Sequence, residues 1–258
     1  MKISALVLAK NEEEMIGECL AQLKFADEII VLDQNSADST SQVAKKYATK
    51  VVTSKIDDFS ENRNMLSGLA RGQWLFYLDA DERLKNEALK EIKWAIGANE
   101  HNAYYFPRKN IILGKWLRHG GWWPDYVPRL FKKDKLLGWQ GRIHESPRIE
   151  GDFGYFKNPI EHLTARNFSQ MFAKTVKWAK IEAELYQAAQ AKDVTGFQVI
   201  KVMVGEFFRR YLVKFGFLDG IVGLIESIFQ ALHQAIVLTY LWELQHNSSK
   251  KLKSPFDD

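Results

Sequence analysis

Asp79 and Asp81 stand two places apart at the end of the apolar run Trp74-Leu75-Phe76-Tyr77-Leu78, and carboxylates so placed are equipped to hold a cation. A strand apolar on both faces belongs inside a sheet covered by helices. Its terminal carboxylates then emerge at the carboxyl edge, where open α/β sheets bind ligands. Hard carboxylate oxygens suit Mg2+ or Mn2+, and such an ion shares its shell between one or two carboxylates and the oxygens of a bound phosphate. A metal-bridged diphosphate is the implied ligand. The structural alternative makes Asp81 the N-cap of a helical stretch running from Leu84 to Ile96.

Other residues converge on the same edge. Asp33, at the end of Glu28-Ile29-Ile30-Val31-Leu32, opens the polar turn Gln34-Asn35-Ser36-Ala37-Asp38-Ser39-Thr40. A carboxylate there can accept from a ring N–H or a ribose hydroxyl, while Ser36 and Asp38 fix the turn and cap the next helix. Lys10-Asn11-Glu12 follows the first strand and adds donors and acceptors. Asn62-Arg63-Asn64 lies on a helix before the aspartate strand, where Arg63 is suited to a phosphate.

The elements that position these groups alternate. Ile3 to Ala9 reads as a strand, Glu12 to Leu23 as a helix, Glu28 to Asp33 as a strand, Ser39 to Tyr47 as a helix and Lys50 to Thr53 as a strand. Ser60 is the expected N-cap of a helix through Ala70 that Gly72 ends. Four strands with interposed helices predict a mainly parallel sheet with helices on both faces. Beyond Gly97 come short aromatic segments broken by glycines, and from Phe168 helical periodicity returns. The predicted domains are residues 1–165, with 1–100 the nucleotide half and 101–165 the acceptor side, followed by a helical region over 166–258.

Composition narrows the function classes. The 258 residues are 46% hydrophobic, enough for a sizeable core, and the formal charge is only +4. No dense Lys/Arg block with interleaved aromatics marks the first half, so nucleic acid is not the expected partner. The lone cysteine, Cys19, reads as a buried structural thiol in a reducing cytoplasm. The start of the chain shows no charged leader followed by an apolar stretch, so no signal peptide is expected.

Four ordered motifs carry a resemblance. Val7-Leu8-Ala9-Lys10-Asn11-Glu12, the Asp33 to Thr40 turn, Asn62-Arg63-Asn64 and Leu78-Asp79-Ala80-Asp81-Glu82 are similar in order and spacing to the family 2 glycosyltransferases of the GT-A fold, a Rossmann-like α/β arrangement. The resemblance implies a nucleotide-sugar donor, a divalent metal and inversion at the anomeric carbon. It places Ala9, Asn11, Glu12, Asp33, Asp38, Arg63, Asp79 and Ala80 on the nucleotide, and Asp79 and Asp81 on the metal. Arg129-Leu130-Phe131, Gly141-Arg142-Ile143-His144-Glu145 and Gly216-Phe217-Leu218-Asp219-Gly220 resemble the subgroup that adds glucose to the inner core of bacterial lipopolysaccharide. That implies a UDP-sugar donor, UDP-glucose first, and a glycolipid or oligosaccharide acceptor such as inner-core heptose.

Sugar transfer also makes physical demands. The leaving diphosphate gains negative charge that a bound cation stabilises, and inversion needs a base across the sugar to take the acceptor proton. Asp125, Glu145 and Glu161 are the candidate bases, Glu145 the favoured one. His144 is placed to complete the metal shell or to orient a phosphate. Trp116, Trp122, Trp123 and Trp139 offer faces for sugar rings, with core packing the equal alternative. Arg118, His119, Arg129 and Arg142 are suited to a phosphorylated acceptor.

Gly220 to Trp242 is the most apolar stretch, but Asp219, Gly223, Glu226, Ser227, Gln230, His233 and Gln234 draw one polar stripe along it. The helix is therefore expected to lie in an interface, against an anionic membrane surface, its own protein or a second copy. Upstream, Phe207 to Phe215 mixes large apolar groups with cations, and Arg166 to Lys253 holds 12 Lys/Arg against 7 Asp/Glu. The expected location is cytoplasmic, peripheral on the inner face of a bacterial inner membrane. Two other enzyme classes fit less well. A sugar-nucleotide nucleotidyltransferase needs a glycine-rich loop after the first strand, absent from Leu8 to Glu12, and an Asp-x-Asp phosphatase needs Thr or Val where Arg83 stands. A non-catalytic membrane-associated scaffold on the same fold is the non-enzyme alternative.

Overall fold

Strand β1 (Ile3–Ala9) is buried along its whole length, and its alternate residues enter two different cores. Ile3, Ala5, Val7 and Ala9 pack with Ile16, Cys19 and Leu20 of α1 (Ile16–Ala21) and with Ala88, Ile92 and Ala95 of α4 (Asn86–Ala98). Leu6 and Leu8 face the other way, onto Leu66 of α3 (Phe59–Leu69) and Tyr77. A period of two along a strand buried on both sides puts helices on both faces of the sheet. The computed structural model describes residues 2–141 and 145–251.

The chain forms two compact units, one from Met1–Asn110 with Pro124–Thr164, the other from Ile111–Trp123 with Ala165–Asp258. The segment Ile111–Trp123, grouped in the sequence reading with residues 1–165, thus belongs with the C-terminal helices.

In the first unit β3 (Lys50–Thr53), β2 (Glu28–Asp33), β1 and β4 (Trp74–Asp79) run parallel in that order, with α2 (Thr40–Ala44) between β2 and β3. The sheet continues through β8 (Tyr126–Lys132), antiparallel to both β4 and β6 (Ala103–Ile112). Beyond β6 lie β12 (Ile160–Ala165) and the short β5 (Glu82–Leu84), while β11 (Phe153–Tyr155) pairs with β6. Strands β9 (Leu136–Gln140) and β10 (Ser146–Ile149) form a separate hairpin. The parallel half and the flanking helices are as the element order predicts.

Three local features differ from the sequence reading. The cap of α3 is Asp58, whose Oδ1 accepts from the Glu61 amide at 3.0 Å and from Ser60 Oγ at 2.7 Å. Ser60 supports that cap and does not form it. Gly72 is required by close approach, since a Cβ there would lie 2.6 Å from the Ser4 amide of β1. Asp81 is not a helix cap: it sits in the turn between β4 and β5, and the cap position of α4 is Lys85.

In the second unit, β7 (Lys115–Trp116) pairs back on the end of β6 around Leu113 and Gly114, both with positive φ. Asn167 caps α5 (Phe168–Ala188) and Thr195 caps α6 (Gly196–Phe208) through their side-chain oxygens. A π-helical turn (Arg209–Val213) and a 3-10 turn (Gly216–Asp219) lead into α7 (Gly220–Lys251). Ala179 and Ala183 of α5 pack on Val237 and Leu241 of α7. The polar stripe of α7 faces this interior. The Asp219 carboxylate accepts from the amides of Arg118 and His119 at 3.0 and 2.8 Å, and His233 Nε2 lies 2.9 Å from Glu182 Oε2.

Candidate active site

Parallel registers bring three strand ends level. Ala9 pairs with Asp33 and Leu8 with Asp79, so the loops after β1, β2 and β4 open on one edge. The first two loops are tied together. Asn11 donates its amide to Ser36 Oγ at 2.9 Å and accepts from the Ala37 amide at 2.8 Å through Oδ1. Glu12 N donates to Thr40 Oγ1 at 2.7 Å. Asn11 and Asn35 hold the positive φ these turns need, which asparagine tolerates better than most residues.

Asp33 is buried, and Ser36 donates both its amide and its hydroxyl to Asp33 Oδ1, at 3.2 and 2.5 Å. Asp38 accepts from Thr40 N and Oγ1 on one oxygen and from Glu13 N on the other. These donors outweigh partial burial and hold its carboxyl below the usual range. Ala9 and Ala80 are buried beside the edge, where small side chains leave the backbone approachable.

The middle of the edge is a charge network. Asp79 Oδ1 accepts from Arg63 Nη2 at 3.1 Å, and Asp79 Oδ2 from Arg129 Nη2 at 2.5 Å. Arg129 Nη2 also meets Glu82 Oε1 at 2.6 Å, and Glu82 Oε2 accepts from the Asp79 amide at 3.0 Å. Arg63 Nε bonds Glu145 Oε1 at 3.0 Å. One guanidinium therefore bridges the strand-end aspartate and a carboxylate 82 residues away in the chain. Arg63 is itself buried, its cation over the ring of Trp139 at 4.9 Å. Burial opposes ionisation of Asp79, but Arg129 and Arg63 overcome it and hold the carboxyl well below the usual range. Burial likewise works against the Arg129 charge, and Asp79 and Glu82 more than offset it.

Asp81 has a partner that sequence reasoning missed: His162 of β12, with Nε2 at 3.4 Å from Asp81 Oδ2. Its Nδ1 is 2.7 Å from Asn110 Oδ1, which orients the ring. Asp81 also accepts the Leu163 amide through its carbonyl at 2.9 Å, fixing the turn to β12. No local pattern marks His162; only the pairing of β12 with β5 brings it near.

Among the described residues no three His, Cys, Asp or Glu side chains converge as a metal-holding group. The donor chemistry still fits a divalent cation at Asp81, because carboxylate oxygen and imidazole nitrogen both suit Mn2+ and phosphate oxygens complete such shells. Asp79 fits that role less well, both its oxygens being taken by guanidinium groups. His144 and Arg142 lie outside the described residues.

The candidate bases separate. Glu145 joins the Asp79 network through Arg63. Asp125 is gripped by Arg108 Nη2 and Nε, both at 2.8 Å, and by Asn110 Nδ2 at 2.9 Å. Glu161 is held by Lys109 at 2.7 Å and Lys85 at 2.9 Å, which keep its carboxyl below the usual range against partial burial. The reading of one side chain is corrected, and of the two roles open to another the structure selects one. Arg129, buried between Asp79 and Glu82, is a strut of the network and not a receiver of acceptor phosphate. Trp139 is core, edge-on to Tyr77 and Phe131.

Known proteins are similar over the whole chain. An uncharacterised glycosyltransferase of Rickettsia conorii is 23% identical over 278 residues, covering 100% of this chain and 95% of that protein. The lipopolysaccharide core biosynthesis glycosyltransferase LpsC of Rhizobium meliloti is 21% identical over 257 residues, covering 94% of this chain and 93% of LpsC. Among solved structures, S. aureus TarS 1-349 aligns over 100% of this chain and 94% of that chain, at 13% identity and a TM-score of 0.46. The profile of glycosyl transferase family 2 matches residues 4–163, the span that carries the strand-end carboxylates, Arg63 and Glu145, and this chain belongs to that family.

Proposed function

We propose that this glycosyltransferase inverts the anomeric carbon of a nucleotide-activated sugar, glucose from UDP-glucose first, as it moves the sugar to a bacterial lipopolysaccharide-core acceptor. The observation that carries the reading is the Asp79–Arg63–Glu145 bridge beside Asp81 and His162, all at the carboxyl edge of the sheet. The likeness to LpsC supports the acceptor class.

Each residue then has a task. Asn11, Asp33 and the turn between them receive the nucleoside, Asp33 accepting from a base N–H or ribose hydroxyl. Asp81 and His162 hold the divalent cation, which when bound neutralises charge on the leaving diphosphate. Arg63 holds Glu145 at a fixed distance from Asp79, and Glu145 takes the acceptor proton. The acceptor oxygen bonds to the anomeric carbon, the bond to the diphosphate breaks, and the proton ends on the Glu145 carboxylate. Asp125, fixed by Arg108 and Asn110, is the second candidate for that proton.

A panel of nucleotide sugars with and without Mn2+ tests the reading by thermal shift and by release of nucleoside diphosphate. The expected result is a rise in melting temperature with UDP-glucose and Mn2+ together, and UDP release when core oligosaccharide is added. No shift and no turnover with any donor contradict it.

A further inference from the structure

Helix α7 is arranged the reverse of a helix facing water. In its N-terminal half Glu226 and Ser227 are buried, as is Asp219 of the turn before it, whereas Ile221 is 67% exposed and Ile228 is also exposed; further on, Trp242 is exposed. Helix α6 buries none of its residues. Its Phe197, Ile200, Val204 and Phe208, three or four places apart, form one exposed stripe, with Phe197 at 76%. The turns that join the two helices continue the pattern with Val213, Phe215 and Leu218, Val213 at 70%. Isolated surface leucines need no explanation, but a periodic stripe running through two helices and their connection does.

Charge indicates the occupant. From Phe197 to Ile221 the cations Lys201, Arg209, Arg210 and Lys214 face only two acids, Glu206 and Asp219. Asp219 is buried, and Glu206 is shared between Arg209 and Arg210 at 2.6 Å each. An apolar stripe with surplus cations is complementary to an anionic lipid surface, into which the stripe sinks while the cations meet phosphate. A second copy would bring the same cations against these, so like charges would oppose that contact. Gly216–His246 is long and apolar enough to cross a bilayer, but its polar groups are spent on its own unit, which suits a helix lying in the interface.

We propose that α6, the turns after it and the outer face of α7 dock this protein on an anionic bilayer. The inference rests on the proposed glycolipid acceptor and names the surface at which that acceptor is met.

The test is flotation of the full chain with vesicles of phosphatidylcholine, with and without phosphatidylglycerol, and with no donor or acceptor present. The expected result is capture by the anionic vesicles, weakened at least about a hundredfold in the triple variant Phe197→Ser, Val213→Ser, Ile221→Ser, since each large apolar group is worth about tenfold or more in partitioning. All three side chains are exposed, so an unchanged melting temperature confirms that the variant folds. Lys201→Glu with Arg209→Glu is expected to remove the preference for anionic vesicles. Wild type left in the unbound fraction overturns the proposal. So does light scattering that finds a wild-type dimer and a monomeric triple variant, with no vesicle capture. Transfer to a delipidated core oligosaccharide, run in parallel, separates the two readings: capture without transfer sustains the docking surface and fails the proposed reaction.

Discussion

Arg63 ties the site together because a guanidinium presents several donors in a rigid plane, and here Nη2 goes to Asp79 and Nε to Glu145. A lysine offers one point charge and holds no such angle. Arg129 plays the matching part below, between Asp79 and the fully buried Glu82. Replacing Arg129 with Met is expected to destabilise the fold by about 3–5 kcal/mol, because two carboxylates lose their buried counter-charge. Urea denaturation measures it, and a loss under about 1 kcal/mol would show that water replaces the guanidinium. Asp81→Asn is expected to lower transfer about 10²-fold or more with the melting temperature unchanged, since a neutral amide binds a cation poorly. Steady-state rates over a Mn2+ series check this, and wild-type rates in the variant contradict the assignment. Asp79 and Asp81 are legible in the sequence because an apolar strand announces where its last residues emerge. Glu82 and His162 are not, since their partners lie 47 and 81 residues away in the chain and no local spacing encodes such a meeting.

Among the elements, β1, β2 and β4 are read correctly because they are apolar on both faces, and α5 because its stripe repeats over many turns. The direction in which α7 points is not legible. Periodicity shows that the helix has a polar stripe but not whether that stripe faces water, and here it faces its own unit, with His233 at 2.9 Å from Glu182 of α5. One consequence is measurable. Burial pushes the Glu226 carboxyl up to about 7 from 4.5, although Gln230 donates to it at 2.8 Å and Arg210 and His233 lie near. The folded protein keeps a proton there that the unfolded chain has released, so stability falls as pH rises from about 4.5 to about 7. The loss is on the order of 3 kcal/mol and is complete above that window. Glu226→Gln removes the charge and is expected to flatten this slope and to raise stability at pH 8. Denaturant midpoints at pH 5 and pH 8 for both proteins check it, and an equal slope in the two would place the titration elsewhere. Gly72 carries a related lesson: glycine after a helix reads as a terminator, yet its work here is to let β1 pass at 2.6 Å from where a Cβ would stand.

At the scale of the whole molecule, the chain divides the labour between an α/β unit that gathers the carboxylates and a helical unit that displays apolar side chains. The first was legible almost in outline, since strand and helix alternate over its first hundred residues. The second was legible as helices but not in membership, because the Ile111–Trp123 segment joins it from the middle of the sequence. The proposed function requires the sheet edge to hold a cation and a sugar-bearing diphosphate together. Crystals grown with Mn2+ and UDP, measured for manganese anomalous scattering, test it most directly. The predicted result is a single strong peak between the Asp81 carboxylate, the His162 imidazole and the diphosphate oxygens, with the uridine against Asp33. A map with no manganese peak at Asp81, or with UDP bound away from that edge, would rule out this site for the donor.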